Sequence, residues 1–114
     1  MTQVRDELVE TFASGKTLSL EYRKQQLAQL GYMLQENDKA FEDAIFADLG
    51  RSPFETGFAE LGLVVEQVLL AINNLDNWAA PQLVPESELD PFHKGWDAKT
   101  VKQPRGVALI IGPW

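Results

Sequence analysis

The sequence contains no cysteine and a single histidine. The first absence excludes a disulfide scaffold, a zinc site with thiolate ligands and a cysteine nucleophile within the chain. The second excludes a metal site built on several imidazoles. Basic residues are also scarce: ten Lys and Arg stand against seventeen Asp and Glu, for a formal net charge of −7. Phosphate backbones are held by Lys and Arg, so nucleic acid is a poor partner for such a chain. No uninterrupted apolar run approaches the roughly 20 residues that cross a bilayer. The N-terminal residues 1–7 are charged and carry no apolar signal core, so a cytoplasmic protein without a transmembrane segment is expected. What is present is 114 residues, 45% hydrophobic and 24% charged, the size and balance of one globular domain rather than a disordered tail.

The charge is unevenly spread. Residues 1–91 hold sixteen acids and six bases, a net of −10. Residues 92–114 hold Lys94, Lys99, Lys102 and Arg105 against Asp97, a net of +3. The patterning changes at nearly the same place. Before Ala80 the apolar residues recur at helical spacing, and after it the chain reads as loop and strand.

Val4, Leu8 and Phe12 recur every four residues and predict a helix over 2–13, stopped at Gly15. Leu20, Leu27, Leu30, Leu34, Phe41, Ile45 and Leu49 form a stripe that predicts one long helix over 20–49, capped by Ser19, crossed by Gly31 and ended at Gly50. Ser52, Pro53 and Glu55 form the capping box and first-turn proline of a third helix. Its stripe is Phe54, Phe58, Leu61, Val65, Val68, Ile72 and Leu75. Such stripes pack against other apolar surface.

Residues 81–97 carry Pro81, Pro85, Pro91 and Gly95 and predict an irregular linker. A short strand is expected over 98–103, a turn at Pro104, Arg105 and Gly106, and a second strand at Val107, Ala108, Leu109, Ile110 and Ile111. Five consecutive apolar residues suit a strand covered on both faces, as in a parallel sheet with helices on either side. Parallel neighbours need long crossovers, and this run is followed only by Gly112, Pro113 and Trp114. Two readings stay open: the opening strand of a truncated α/β domain, or a β-hairpin with 98–103 under the helices.

Several stretches together resemble the N-terminal part of the aldehyde dehydrogenases, most closely the class 3 or fatty aldehyde dehydrogenase branch, including its fungal members. They are Val4 and Arg5 through Phe12; Ser14 to Thr17; Tyr22 to Leu27; Ala47 to Arg51; and Gln103 through Trp114. The last is the most specific, a Pro-x-Gly-Val strand leading into Gly-Pro-Trp. The stretch from Gln82 to Trp96 matches least. The resemblance implies an α+β chain as it stands: an N-terminal helical region of three helices over 1–80, a linker over 81–97, and over 98–114 a β-hairpin and the first strand of an incomplete Rossmann-like NAD(P)-binding domain. It implies a longer relative that oxidises aliphatic or fatty aldehydes to acids with NAD or NADP. There a cysteine thiolate attacks the aldehyde, hydride passes to the nicotinamide, a glutamate activates water, and an asparagine steadies the oxyanion. By the same resemblance Ile111, Gly112, Pro113 and Trp114 line the cofactor cleft, where Gly112 allows close approach. The family's cysteine, glutamate and asparagine have no counterparts here. The chain is therefore expected to be inactive and to bind no cofactor by itself, to have no catalytic or metal-ligating residues of its own, and to meet an aldehyde only when the missing domains complete it. The alternative is a non-catalytic module that self-associates or binds an intact dehydrogenase.

The remaining candidates read as structure. His93 has no second ligand or nucleophile near it in sequence. Glu60 and Glu66 are six apart and do not share a helix face. Glu86, Glu88 and Asp90 lack the spacing of a calcium loop. Trp78 and Trp96 suit packing or an interface rather than stacking on bases, and Lys94, Lys99, Lys102 and Arg105 form too small a basic patch for nucleic acid.

Overall fold

A computed structural model describes residues 2–112. Helix α1 spans Thr2–Ala13, α2 Leu20–Glu36, α3 Asp38–Leu49, α4 Pro53–Thr56 and α5 Gly62–Ala79, with a π-helical segment Gly57–Leu61 between the last two. Strands β1 (Gln82–Leu83) and β2 (Lys99–Thr100) form a two-stranded antiparallel sheet, pairing Gln82 with Thr100 and Leu83 with Lys99. The chain divides into two compact units. One is Thr17–Leu75. The other joins Met1–Lys16 to Asp76–Trp114.

Within Thr17–Leu75 the local chemistry sets each boundary. Ser19 accepts the Tyr22 N–H at 3.3 Å and starts α2. The single long helix expected over 20–49 is in fact two. Asn37 leaves helical geometry at φ −123°, ψ 21°, and its amide donates back to the Met33 carbonyl at 2.8 Å. Asp38 then accepts the N–H of Lys39 at 2.6 Å. Asn and Asp side chains compete with the helix ladder for backbone partners, which is why an Asn-Asp pair breaks a run that its apolar spacing would continue. Lys39 pairs with Asp43 one turn on, and the bond to Asp43 raises the Lys39 ammonium above the usual lysine value. Helix α3 ends at Gly50, whose φ of 66° is left-handed and costs a glycine nothing.

The capping box is present in full. The Ser52 hydroxyl accepts the Glu55 N–H at 3.3 Å, and the Glu55 carboxylate accepts the Ser52 N–H at 3.2 Å. Ser52→Ala is expected to lower the stability of this unit by about 1 kcal/mol. A chemical denaturation midpoint unchanged by the substitution would refute that role.

After Thr56 the helix takes in one extra residue. The Gly62 N–H donates to the Gly57 carbonyl, an i to i+5 bond. A β-carbon at Gly62 would lie 2.9 Å from the Gly57 oxygen, so the π turn closes only around glycine. Glu60, within this segment, pairs with Arg51. The extra residue rotates the helical turns before it relative to those after it. Leu61, Val65, Ile72 and Leu75 are half-buried and Val68 is 5% exposed, as the stripe requires. Phe54 and Phe58, assigned to the same stripe by spacing, are instead exposed and stack on each other with centroids 6.4 Å apart.

The core of this unit is small. Leu34 on α2 and Val68 on α5 are its buried apolar side chains among the described residues, and Thr56 is fully buried. A β-carbon at Gly31 would meet Val68 Cγ1 at 3.5 Å, so α2 passes α5 closely there at ordinary contact distance. Helix α3 packs on α4 and on the π-helical segment.

Much apolar surface is left outside. Leu63, Val64, Leu69 and Leu70 of α5 are exposed, as are Val4, Leu8 and Val9 of α1. The continuous helix Pro53–Ala79 is 27 residues long and contains a stretch of mean hydropathy 1.4, of which 6% is buried. By length and composition it could cross a membrane, although no uninterrupted apolar run marks it in the sequence. A helix made to pack into a larger protein has the same composition.

Candidate functional site

The residues assigned to the cofactor edge lie in the unit formed by Met1–Lys16 and Asp76–Trp114. Here the linker is more ordered than its prolines imply. Its first residues form β1, and the Val84 N–H donates to the Ala98 carbonyl at 2.9 Å to extend the contact with the β2 side. Single 3-10 turns follow at Glu86–Glu88 and Pro91–His93. Asp90 caps the second by accepting the Phe92 N–H at 2.9 Å. Beyond β2, Lys102 donates from Nζ to the Trp78 carbonyl at 2.7 Å. This bond attaches the 101–106 segment to the last turn of α5, where helix carbonyls lack helical partners and attract cations.

The expected hairpin between 98–103 and 107–111 is not formed. The antiparallel partner of 99–100 is 82–83. Residues 107–111 have no ladder among the described residues. The chain bends at Gly106, with φ 143°, a conformation that suits glycine. The run beyond is solvent-facing: Leu109 is 81% exposed, and Ile110 and Ile111 are each 88%. A strand is held by its neighbour, and the sheet among the described residues has only the two strands β1 and β2. The apolar pattern of 107–111 marks a segment suited to cover, and none of the described residues covers it.

Of the four cleft residues, Ile111 is exposed and Gly112 stands in open space, with nothing within 4 Å of an added β-carbon. The close approach that glycine would permit at 112 is therefore not made by the chain itself. Pro113 and Trp114 lie outside the described residues.

Trp78 and Trp96 are both exposed. His93 is half-buried between aromatic rings, 5.5 Å from Phe92 and 4.7 Å from Trp96, both edge-on. No group of three or more His, Asp or Glu side chains suited to a metal occurs among the described residues. Glu60 is the partner of Arg51 and is about a quarter exposed. Nothing in local spacing pointed to that pair, because its members are nine residues apart and lie on either side of α4. The described residues thus offer an exposed apolar segment ending in an open glycine.

No family model matches the chain. It is similar to several known proteins along nearly its whole length. It is 37% identical over 108 residues to aldehyde dehydrogenase family 3 member F1 of Arabidopsis thaliana, covering 95% of this chain and 22% of that protein. It is 38% identical over 107 residues to aldehyde dehydrogenase family 3 member B3 of Mus musculus, covering 94% and 22%. It is 35% identical over 105 residues to the dimeric NADP-preferring aldehyde dehydrogenase of Rattus norvegicus, covering 92% and 22%. The chain therefore spans about a fifth of the length of these relatives, and the matched part is N-terminal in them.

Proposed function

We propose that this chain, a relative of the family 3 aldehyde dehydrogenases matching their N-terminal part, supplies the helical layer and the opening cofactor-domain strand of an enzyme that oxidises aliphatic aldehydes to acids. The observation that carries the reading is the exposed run 107–111. A five-residue, uncharged segment belongs between helices in a parallel sheet, and the relatives continue well past the part that this chain matches. The exposed faces of α1 and α5 have the same explanation: they are surfaces for the rest of an α/β domain.

In this reading residues 98–114 open the nucleotide-binding domain. Ile111, Gly112, Pro113 and Trp114 form one wall of its cleft, at the end of a strand where ligands sit in such folds. The open space around Gly112 fits a site whose occupant approaches the backbone closely. The nucleotide, NAD or NADP, supplies the hydride acceptor when bound. This chain's part is to shape the wall and hold the strand in register. The nucleophile, the water-activating acid and the oxyanion donor come from the portion that this chain lacks, so the chain alone oxidises nothing.

Co-expression with the remaining portion of a family 3 aldehyde dehydrogenase tests this. The expected result is nucleotide-dependent oxidation of an aliphatic aldehyde by the mixture and by neither part alone. A stable mixed complex with no such activity, or activity of the isolated chain, would refute it.

A further inference from the structure

Helix α5 has no basic residue in its last turn. The chain leaves the helix at Pro81, which has no N–H to continue the ladder. Carbonyls at such an end lack helical partners and carry a negative partial charge. One of them, the Trp78 carbonyl, accepts a hydrogen bond from Lys102 Nζ at 2.7 Å, from 24 residues further on. That bond is the last step of a returning arm. Val84 bonds Ala98, Leu83 faces Lys99 and Gln82 faces Thr100, and Lys102 then reaches Trp78. We propose that Lys102 is a positioning residue for nucleotide binding: it fixes where the run 107–111 begins, and so where Ile111 and Gly112 stand. The inference rests on the proposed function, in which that run opens the nucleotide-binding domain.

The short stretch between Lys102 and the run gives the bond its leverage. Residues 101–106 form no helix or strand, so no backbone ladder places them beyond β2. Five residue steps separate Lys102 from Val107, at most about 18 Å of extended chain. Pro104 fixes its own φ and disfavours helical backbone at Gln103. The bend is left to Gly106, at φ 143°. Anchored at Lys102, the run starts from a bounded position beside the end of α5. Released, the segment pivots from Thr100, two residues earlier. An ammonium suits this role, because the end of a helix attracts a cation and a neutral side chain gains nothing there. Lys102 is exposed, so replacing it opens no cavity. Lys94 is also exposed and lies ahead of β2, so its loss removes the same charge without releasing the arm.

Two measurements on Lys102→Met, Lys102→Arg and Lys94→Met test the role. The first is amide exchange in the whole 114-residue chain, with no nucleotide present. Lys102→Met should speed exchange of the Val84 amide and of residues 99–100 by about three- to tenfold, the effect of one exposed hydrogen bond. The second is steady-state kinetics after co-expression with the remaining portion of a family 3 aldehyde dehydrogenase. Lys102→Met should raise the nucleotide KM by about the same three- to tenfold, because placement loosens by no more than the bond contributes. It should leave kcat unchanged, since the reacting groups come from the other portion. Lys102→Arg keeps a cationic donor and should restore both readouts, and Lys94→Met should move neither. In an active mixture, an unmoved nucleotide KM, a loss of kcat instead, an equal effect of Lys94→Met or no rescue by Lys102→Arg would overturn the proposal. So would a raised KM with unchanged exchange, which would place Lys102 on the nucleotide itself. These outcomes leave the proposed function standing. An inactive mixture with the unmodified chain would refute that function, and the role of Lys102 with it.

Discussion

Leu34→Ala is expected to destabilise the Thr17–Leu75 unit by about 2–4 kcal/mol, the range for a leucine truncated in a packed core. The reason is how little else is buried: Leu34 and Val68 are the buried apolar side chains among the described residues of that unit. A small unit has a few kcal/mol of net stability to lose, so much of its cooperative unfolding should disappear. Leu30, one turn earlier on α2 and in the same sequence stripe, is exposed. Leu30→Ala is expected to cost no more than about 0.5 kcal/mol. Thermal or denaturant unfolding of the two variants separates them. Equal losses would mean that the α2 stripe is buried along its length and that the core extends beyond Leu34 and Val68.

The second large effect is a change of sign between two glycines. Gly57 has ordinary helical angles, φ −61° and ψ −44°, and open space where a β-carbon would stand. Gly57→Ala should stabilise the helix by up to about 1 kcal/mol. Gly62 also has helical angles, φ −59° and ψ −43°. Its β-carbon, however, would meet the Gly57 carbonyl oxygen at 2.9 Å, and a backbone atom cannot rotate away as a side chain can. Gly62→Ala should therefore cost about 1–3 kcal/mol, the usual range for overpacking. Equal stabilisation by both substitutions would show that Pro53–Ala79 runs as an uninterrupted α-helix.

These two cases also show where the fold was legible. Local rules with a chemical partner held: Ser19 and Ser52 cap as their positions suggest, Glu55 closes its box, and Gly50 turns left-handed. The stripe from Leu61 to Leu75 faces inward. What escaped depends on competition or on distance. The break at Asn37 is a contest between apolar spacing, which favours continuation, and two side chains that prefer backbone partners. The π turn is set by the Gly57 and Gly62 contact, and the Arg51 and Glu60 pair ties that segment to the residues before α4. Two glycines five residues apart were the one visible sign of it. Strand β1 was hidden in a proline-rich stretch because a two-residue strand has no period to detect, and its partner lies seventeen residues further on.

The candidate site was legible in a different way. Composition alone showed that no cysteine chemistry could occur within the chain. The apolar run at 107–111 indicated a need for cover without saying what provides it. Five apolar residues in a row suggested a strand, but strands take their geometry from the ladder they join. The motif ending at Trp114 carried the family resemblance, which the similarity to family 3 aldehyde dehydrogenases supports over nearly the whole chain.

The most direct measurement is amide hydrogen exchange of residues 107–111. It is made with and without the remaining portion of a family 3 aldehyde dehydrogenase. Insertion between sheet strands should slow these amides by about a hundredfold or more, the range that separates exposed loops from core strands. Residues 86–93, with their short exposed turns, should exchange as before. Unchanged rates at 107–111 within a formed mixed complex would contradict the assignment of this run as the opening strand.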